Sequence, residues 1–248
     1  MTPRHRVLEA ASLPLLLIVW QAFATVAAHR LFPSPFVVGG EILHLVGEGS
    51  LLADLGKTLG RASIAFAIAM LLGTTIGLLL GRRPWLDRLF SAWLVVGLNL
   101  PAIVAAIIFY IWLGLTEVAL IGAVVINKLP LVIVTVREGA RGLSPDYGEL
   151  AQALRLSLRR RIAVIAWPQL LPFVLAAART GLSLIWKIVL VFEVLGSDGG
   201  VGYRIGVMFQ FFDVAGILAY TASFLVVVLV LEYGVLGPLE RRALQWRA

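Results

Sequence analysis

Six apolar runs of about twenty residues dominate the chain: Leu8–Ala28, Ala62–Leu80, Leu89–Leu113, Val118–Val136, Phe173–Leu195 and Ile217–Leu236. A helix of that length spans roughly 30 Å, the thickness of a bilayer's hydrocarbon core. Backbone groups in lipid must be satisfied internally, so such runs cross as helices. The expected fold is an all-α integral membrane protein with about six transmembrane helices. Composition agrees, because 60% of residues are hydrophobic and only 14% charged, against about a quarter charged in soluble domains. Mean hydropathy is +0.95.

The net charge of +7 would suggest nucleic acid in a soluble protein. Here the positions of the cations explain it. Arg4 and Arg6 precede the first run, and Arg82, Arg83 and Arg88 separate the second and third. Arg137, Arg141, Arg155, Arg159, Arg160 and Arg161 separate the fourth and fifth, and Arg241, Arg242 and Arg247 follow the last. The other face has Arg30, Lys57 and Arg204, with Arg61 at its border. The positive-inside rule then predicts both termini in the cytoplasm of a multi-pass membrane protein. Trp20, Trp85, Trp93, Trp112 and Trp246 fall near predicted span edges and suit interfacial anchoring.

The expected division is a transmembrane helix over residues 1–30, an external loop over 31–57, a transmembrane domain over 58–237 and a basic cytoplasmic tail over 238–248. Arg4-His5-Arg6, an apolar run and Val26-Ala27-Ala28 also fit a signal peptide, whose removal would leave five spans. The 31–57 segment contains Pro33, Pro35, Gly39, Gly40, Gly47 and Gly49, and Leu51–Leu59 reads as a short amphipathic helix leading into the second span.

Several chemistries are excluded. There is no cysteine, hence no disulfide or thiolate site. His5, His29 and His44 lack ligand spacing, so no metal site is expected. The lone Gly-Lys pair, Gly56-Lys57, lacks the upstream glycine of a phosphate-binding loop. No nucleophile elbow, zinc-protease motif or paired-carboxylate centre occurs, so the chain is not expected to be an enzyme, and any motor must be borrowed.

The loop between the fourth and fifth spans supplies the means. Ser144-Pro145-Asp146 is a helix start: a hydroxyl N-cap, proline at the first position and an acid in the first turn. Leu150, Leu154, Leu158 and Ile162 then form one apolar stripe, with Gln152, Arg155 and Arg159 turned away from it. Trp167-Pro168 and Leu171-Pro172 are expected to interrupt helix before the chain re-enters the membrane. A helix of this kind docks on a cytoplasmic partner or lies on anionic membrane lipid.

These residues resemble the permeases of binding-protein-dependent ABC importers, specifically the nitrate, sulfonate and taurine group. That family's cytoplasmic loop begins Glu-Ala-Ala, has glycine six residues after the glutamate, and ends on Leu-Pro. Glu149, Ala151, Pro168 and Pro172 match, while Leu150 replaces an alanine and Arg155 the glycine. Leu31-Phe32-Pro33-Ser34-Pro35, Arg61, Gly73, Leu100-Pro101, Pro130, Arg179, Trp186, Glu193 and Gly200-Val201-Gly202-Tyr203 extend the resemblance over residues 31–245.

The resemblance implies a permease subunit in which the loop is a coupling helix seated on ABC ATPase subunits. Glu149, Ala151, Leu154, Arg155 and Leu158 are the candidate contacts. It also implies an extracytoplasmic solute-binding protein, a second permease subunit forming a homodimer or a heterodimer, and ATP used only by the partner. Glycine at 155 would end the helix in a left-handed conformation, so arginine implies a different turn or a longer helix. The rival reading is a membrane scaffold or membrane-bound enzyme whose basic loop recruits an unrelated partner. A secondary transporter would show repeated halves, and none is seen.

Charges inside spans mark pathways or ion pairs. Lys128 lies roughly 13 Å from the cytoplasmic end of the fourth span, and Lys187 roughly 13 Å from the external end of the fifth. With Asn127 they form a candidate path for a small anion such as nitrate, a sulfonate or a carboxylate. Alternatively the lysines pair with acids such as Glu193 or snorkel. Pro101, Pro130, Arg179, Trp186 and Glu193 are candidates for helix packing or gating, the two prolines as kinks that expose carbonyls.

Overall fold

The protein's computed structural model describes residues 3–27, 29–143, 149 and 153–244, with side chains for these except 3–13, 158, 236, 239–241 and 244. The helices are α1 (Pro3–Ala27), α2 (Pro35–Gly47), α3 (Ser50–Arg82), α4 (Pro84–Asn99), α5 (Ala102–Leu113) and α6 (Glu117–Arg141). They continue as α7 (Trp167–Gly196), α8 (Val201–Gln210), α9 (Val214–Leu231) and α10 (Gly237–Leu244). No strand occurs among the described residues.

Four helical stretches are long and apolar enough to cross a membrane: Ser50–Arg82, Glu117–Arg141, Arg159–Gly196 and Val214–Val235. Helices α4 and α5 together make a fifth crossing, but a broken one, bent by 97°. The single span expected over Leu89–Leu113 is thereby corrected. Leu100 takes an extended conformation (φ −68°, ψ 117°), as the residue before a proline prefers. Pro101, which has no N–H to give, is the N-cap residue from which α5 follows. Asn127 Nδ2 donates to the Leu100 carbonyl at 3.2 Å, satisfying an acceptor that the break exposes. Over the first expected span, α1 runs unbroken from Pro3 to Ala27, 25 residues with Pro14 inside it. Ala28 lies outside the described residues.

The expected 31–57 loop holds a helix. Ser34 Oγ accepts from Val37 N and Pro35 occupies the first turn, so α2 begins with a regular cap. Its Val38 and Leu45 are buried, and Trp20 Nε1 of α1 donates to Pro33 O at 3.1 Å. Nor is Leu51–Leu59 a separate amphipathic helix, since α3 runs through it without interruption. The disruption of regular helix expected at Pro168 and Pro172 is confined to one widened turn ahead of Pro168, and the helix does not break at either proline. A π-helical turn over Ile162–Ala166 precedes α7, with Trp167 N bonded to Ile162 O, and Pro172 sits inside the helix. Widening the turn absorbs the loss of proline's donor.

The core is built on α3, α6 and α7. Gly73, Gly77 and Gly81 face Val132, Val136 and Ala140 in rising order, so α3 and α6 run parallel with their backbones close together. A Cβ on Gly77 would lie 2.7 Å from the Ile133 carbonyl. Small residues at every fourth position allow this approach, which in lipid yields the dispersion contacts that hold helices together. Helix α7 runs the other way: Phe173 near its start meets Gly139 near the end of α6, and Glu193 near its end meets Arg61 near the start of α3. Trp85, Trp93 and Trp112 are exposed, as interfacial anchors must be. Trp246 lies outside the described residues.

Candidate functional site

Three polar groupings lie along this bundle, one at each end and one between. At the end where α7 stops, Arg61 is 4% exposed and Glu193 fully buried. Arg61 Nη1 donates to Glu193 Oε1 at 2.8 Å and to Gly199 O at 2.5 Å. Its Nη2 reaches Glu117 and, at 3.1 Å, Asp198. The neighbouring α8 begins among carboxylates. Gly200 N donates to Asp54 Oδ1 (3.0 Å), Val201 N to Thr58 Oγ1 (2.8 Å) and Gly202 N to Glu193 Oε2 (2.9 Å).

Three consecutive N–H groups at a helix start are thus satisfied by side chains from α3 and α7, where the helix dipole also favours negative charge. Thr58 joins them by donating to Glu193 at 2.9 Å. The turn needs Gly200, whose φ of +103° suits no L-residue. Tyr220 of α9 (3.0 Å) and Arg204 (2.8 Å) both donate to Asp54, and that bond raises Arg204 above the ordinary arginine range. A recess of about 180 Å³ opens beside Arg61, with Glu117 and Asp198 on its rim. The arrangement is an interlock of five segments with no group poised for bond chemistry.

Midway along α6, Lys128 is 7% exposed, and it makes no ion pair or hydrogen bond among the described residues. Glu193, the acid considered for it, is taken by Arg61 and Thr58. Beside Lys128, Asn127 holds the Leu100 carbonyl, and Pro130 packs directly on Gly97 of α4. The break at Pro101 and the proline of α6 therefore belong to one junction. Lys187 is exposed on α7, in contrast to the buried Lys128. Trp186 is buried edge-on against Phe224, with ring centroids 6.4 Å apart, while Arg179 lies on an exposed face of α7.

At the arginine-rich end, Asp87 of α4 accepts from Arg137 at 3.1 Å and from Arg141, both on α6. Glu138 joins this ionic group through the same two arginines. Beyond it, Glu149 is helical and exposed. Ala151 and the Ser144-Pro145-Asp146 start lie outside the described residues, as does the side chain of Leu158. Leu154 is 60% exposed. Arg155 adopts φ +46°, the left-handed conformation. The turn that suits glycine is therefore kept, with arginine in it.

A family model described as the binding-protein-dependent transport system inner membrane component matches residues 69–236. The chain belongs to this family. The taurine transport system permease protein TauC of Escherichia coli is 24% identical over 98% of this chain and 90% of its own length. The riboflavin transport system permease protein RibX of Chloroflexus aurantiacus is 29% identical over 96% and 89%. Among solved structures, an inward-facing MetNI methionine ABC transporter chain superposes with a TM-score of 0.66 at 18% identity, over 78% of this chain and 95% of that one. That likeness shows a shared fold.

The protein is thus an ABC importer permease, a multi-pass membrane subunit whose family works with an ATPase and a binding protein, and it is a transport protein with no enzyme activity of its own. Sequence reasoning singled out Arg61 and Glu193 separately and missed what joins them. Asp54 and Thr58 went unnoticed because they fall one turn apart in a stretch read as surface helix. Asp87 was hidden by its basic neighbours Arg83 and Arg88. Of the glycine stripe only Gly73 was noticed, although Gly73, Gly77 and Gly81 repeat at a spacing of four.

Proposed function

We propose that this permease imports a small anion, of the nitrate, sulfonate or carboxylate kind, through a path that passes Lys128. The observation that carries the reading is a buried cation halfway along a spanning helix with no counter-ion among the described residues. Burying such a charge is costly unless a partner arrives, and an anionic solute is a transient partner. Taurine, named for one of the similar permeases, carries a sulfonate. Lys187 is the second candidate cation on the path. Asn127 has a structural duty at the Leu100 carbonyl beside any pathway role.

In this reading the arginine-rich end faces the cytoplasm, both termini lie there, and two copies of the chain enclose the path. ATP is consumed by the attached ATPase, and this chain holds no cofactor. Glu149, Ala151, Leu154 and Leu158 form the coupling contact. The test is uptake into cells of labelled nitrate, taurine and alkanesulfonates, with riboflavin as a neutral probe. Lys128→Met keeps the volume and removes the charge, and is expected to lower anion uptake at least about tenfold, the worth of one modest charge-assisted contact. Unchanged uptake would discard Lys128 as a path residue.

The coupling role has its own check. Leu154→Glu and Leu158→Glu are expected to abolish co-purification of the ATPase while leaving the permease monodisperse. An ATPase retained by both variants would return the loop to a lipid-surface helix.

A further inference from the structure

Arg155 holds the left-handed conformation, φ +46°, which glycine adopts freely and an L-residue only under strain. Its side chain is exposed, and it makes no ion pair or hydrogen bond among the described residues. Arg159 and Arg160 are likewise exposed and unpaired among them. Leu154, immediately before the strained residue, exposes 60% of its surface. The result is a small apolar anchor beside a fixed cation, with two more cations at the start of the helix that follows in the chain.

We propose that Arg155 is a specificity contact that seats a carboxylate on the ATPase subunit, so that permease and ATPase recognise each other by charge as well as shape. The inference rests on the coupling role assigned to this loop. Two physical points favour a protein carboxylate over anionic lipid. Headgroups diffuse to any exposed arginine, so binding them gains nothing from a strained backbone. A left-handed residue fixes the direction in which its side chain leaves the turn, and only a partner of fixed geometry benefits. The guanidinium's planar fork matches a carboxylate with two parallel hydrogen bonds, which a lysine ammonium cannot reproduce. Arg159 and Arg160 add longer-range attraction that speeds the encounter and weakens with salt.

Glycine at this position separates side chain from backbone, because it suits the same turn without strain. The ATPase that co-purifies with the wild-type permease is isolated and titrated onto permease in nanodiscs of phosphatidylcholine alone, at low and high salt. Arg155→Gly is expected to weaken binding about tenfold at low salt, to flatten its salt dependence, and to raise the permease's melting temperature slightly. Arg155→Ala is expected to match the loss in binding without the gain in stability, and Arg155→Lys to recover only part of the affinity.

Three results would overturn the proposal. Wild-type affinity and salt dependence in Arg155→Gly would show that the side chain touches nothing. Loss in Arg155→Ala alone would show that only the turn matters. Loss in Arg155→Gly confined to discs with added phosphatidylglycerol would assign the arginine to lipid. If no ATPase binds even the wild type, the coupling reading itself falls, which is a separate outcome.

Discussion

Glu193→Ala is expected to lower the unfolding free energy of the permease by about 3–5 kcal/mol, the usual cost of removing one member of a buried ion pair. The carboxylate is fully buried. Its loss would leave the Thr58 hydroxyl proton and the Gly202 N–H without an acceptor and take from Arg61 its one fully buried counter-charge, leaving the guanidinium to Glu117, Asp198 and the Gly199 carbonyl. Thermal unfolding in detergent, followed by size-exclusion chromatography, reads the effect as an early loss of the monodisperse peak. Glu193→Gln keeps two acceptor directions for Gly202 and Thr58 and should recover part of the stability. A variant as stable as wild type would mean that the interlock at the Arg61 end is not what holds α3, α7 and α8 together.

The glycine stripe carries the second large effect. Gly77→Leu is expected to prevent stable packing of α3 on α6, and Gly77→Ala to cost about 1–3 kcal/mol by overpacking. The Cβ would lie 2.7 Å from the Ile133 carbonyl and 3.0 Å from Val136 Cβ, and a main-chain oxygen cannot rotate aside. The same helix provides the control. Gly56 and Gly60 have open space around them, so alanine there should be neutral or stabilising by up to about 1 kcal/mol. Equal effects of Gly60→Ala and Gly77→Ala on melting temperature would refute close helix contact.

What the sequence revealed, and what it hid, follows from the range of the forces involved. Spans and their charged borders depend on composition over about twenty residues, so α3, α6, α7 and α9 were legible. The helix α2 was equally available, because Ser34-Pro35 is the same start signal as Ser144-Pro145. Its Gly39 and Gly40 give the stretch the composition of a loop, although both sit in the helix with nothing pressing on them. Proline alone did not decide backbone shape. Pro101 accompanies a bend of 97°, whereas Pro130 lies within an unbroken α6 whose neighbours pack around it. The Arg61–Glu193 pair joins residues 132 apart, a separation that no local pattern encodes. At Arg155 the resemblance located the turn, and only the backbone angle showed that arginine had been fitted into it.

Two helices whose main chains touch at Gly77 cannot slide past each other without lifting apart, so α3 and α6 form a single strut. Helix α4 is fastened to one end of that strut by Asp87 and to its middle by Pro130 on Gly97. At the bend between α4 and α5 the main chain stays bonded on both sides, Leu100 N to Gly97 O at 3.4 Å and Val104 N to Pro101 O at 3.0 Å. The Asn127 amide, one residue from the buried lysine, holds the Leu100 carbonyl from the strut's side, so the bent pair is pinned to α6 at its elbow as well as along α4.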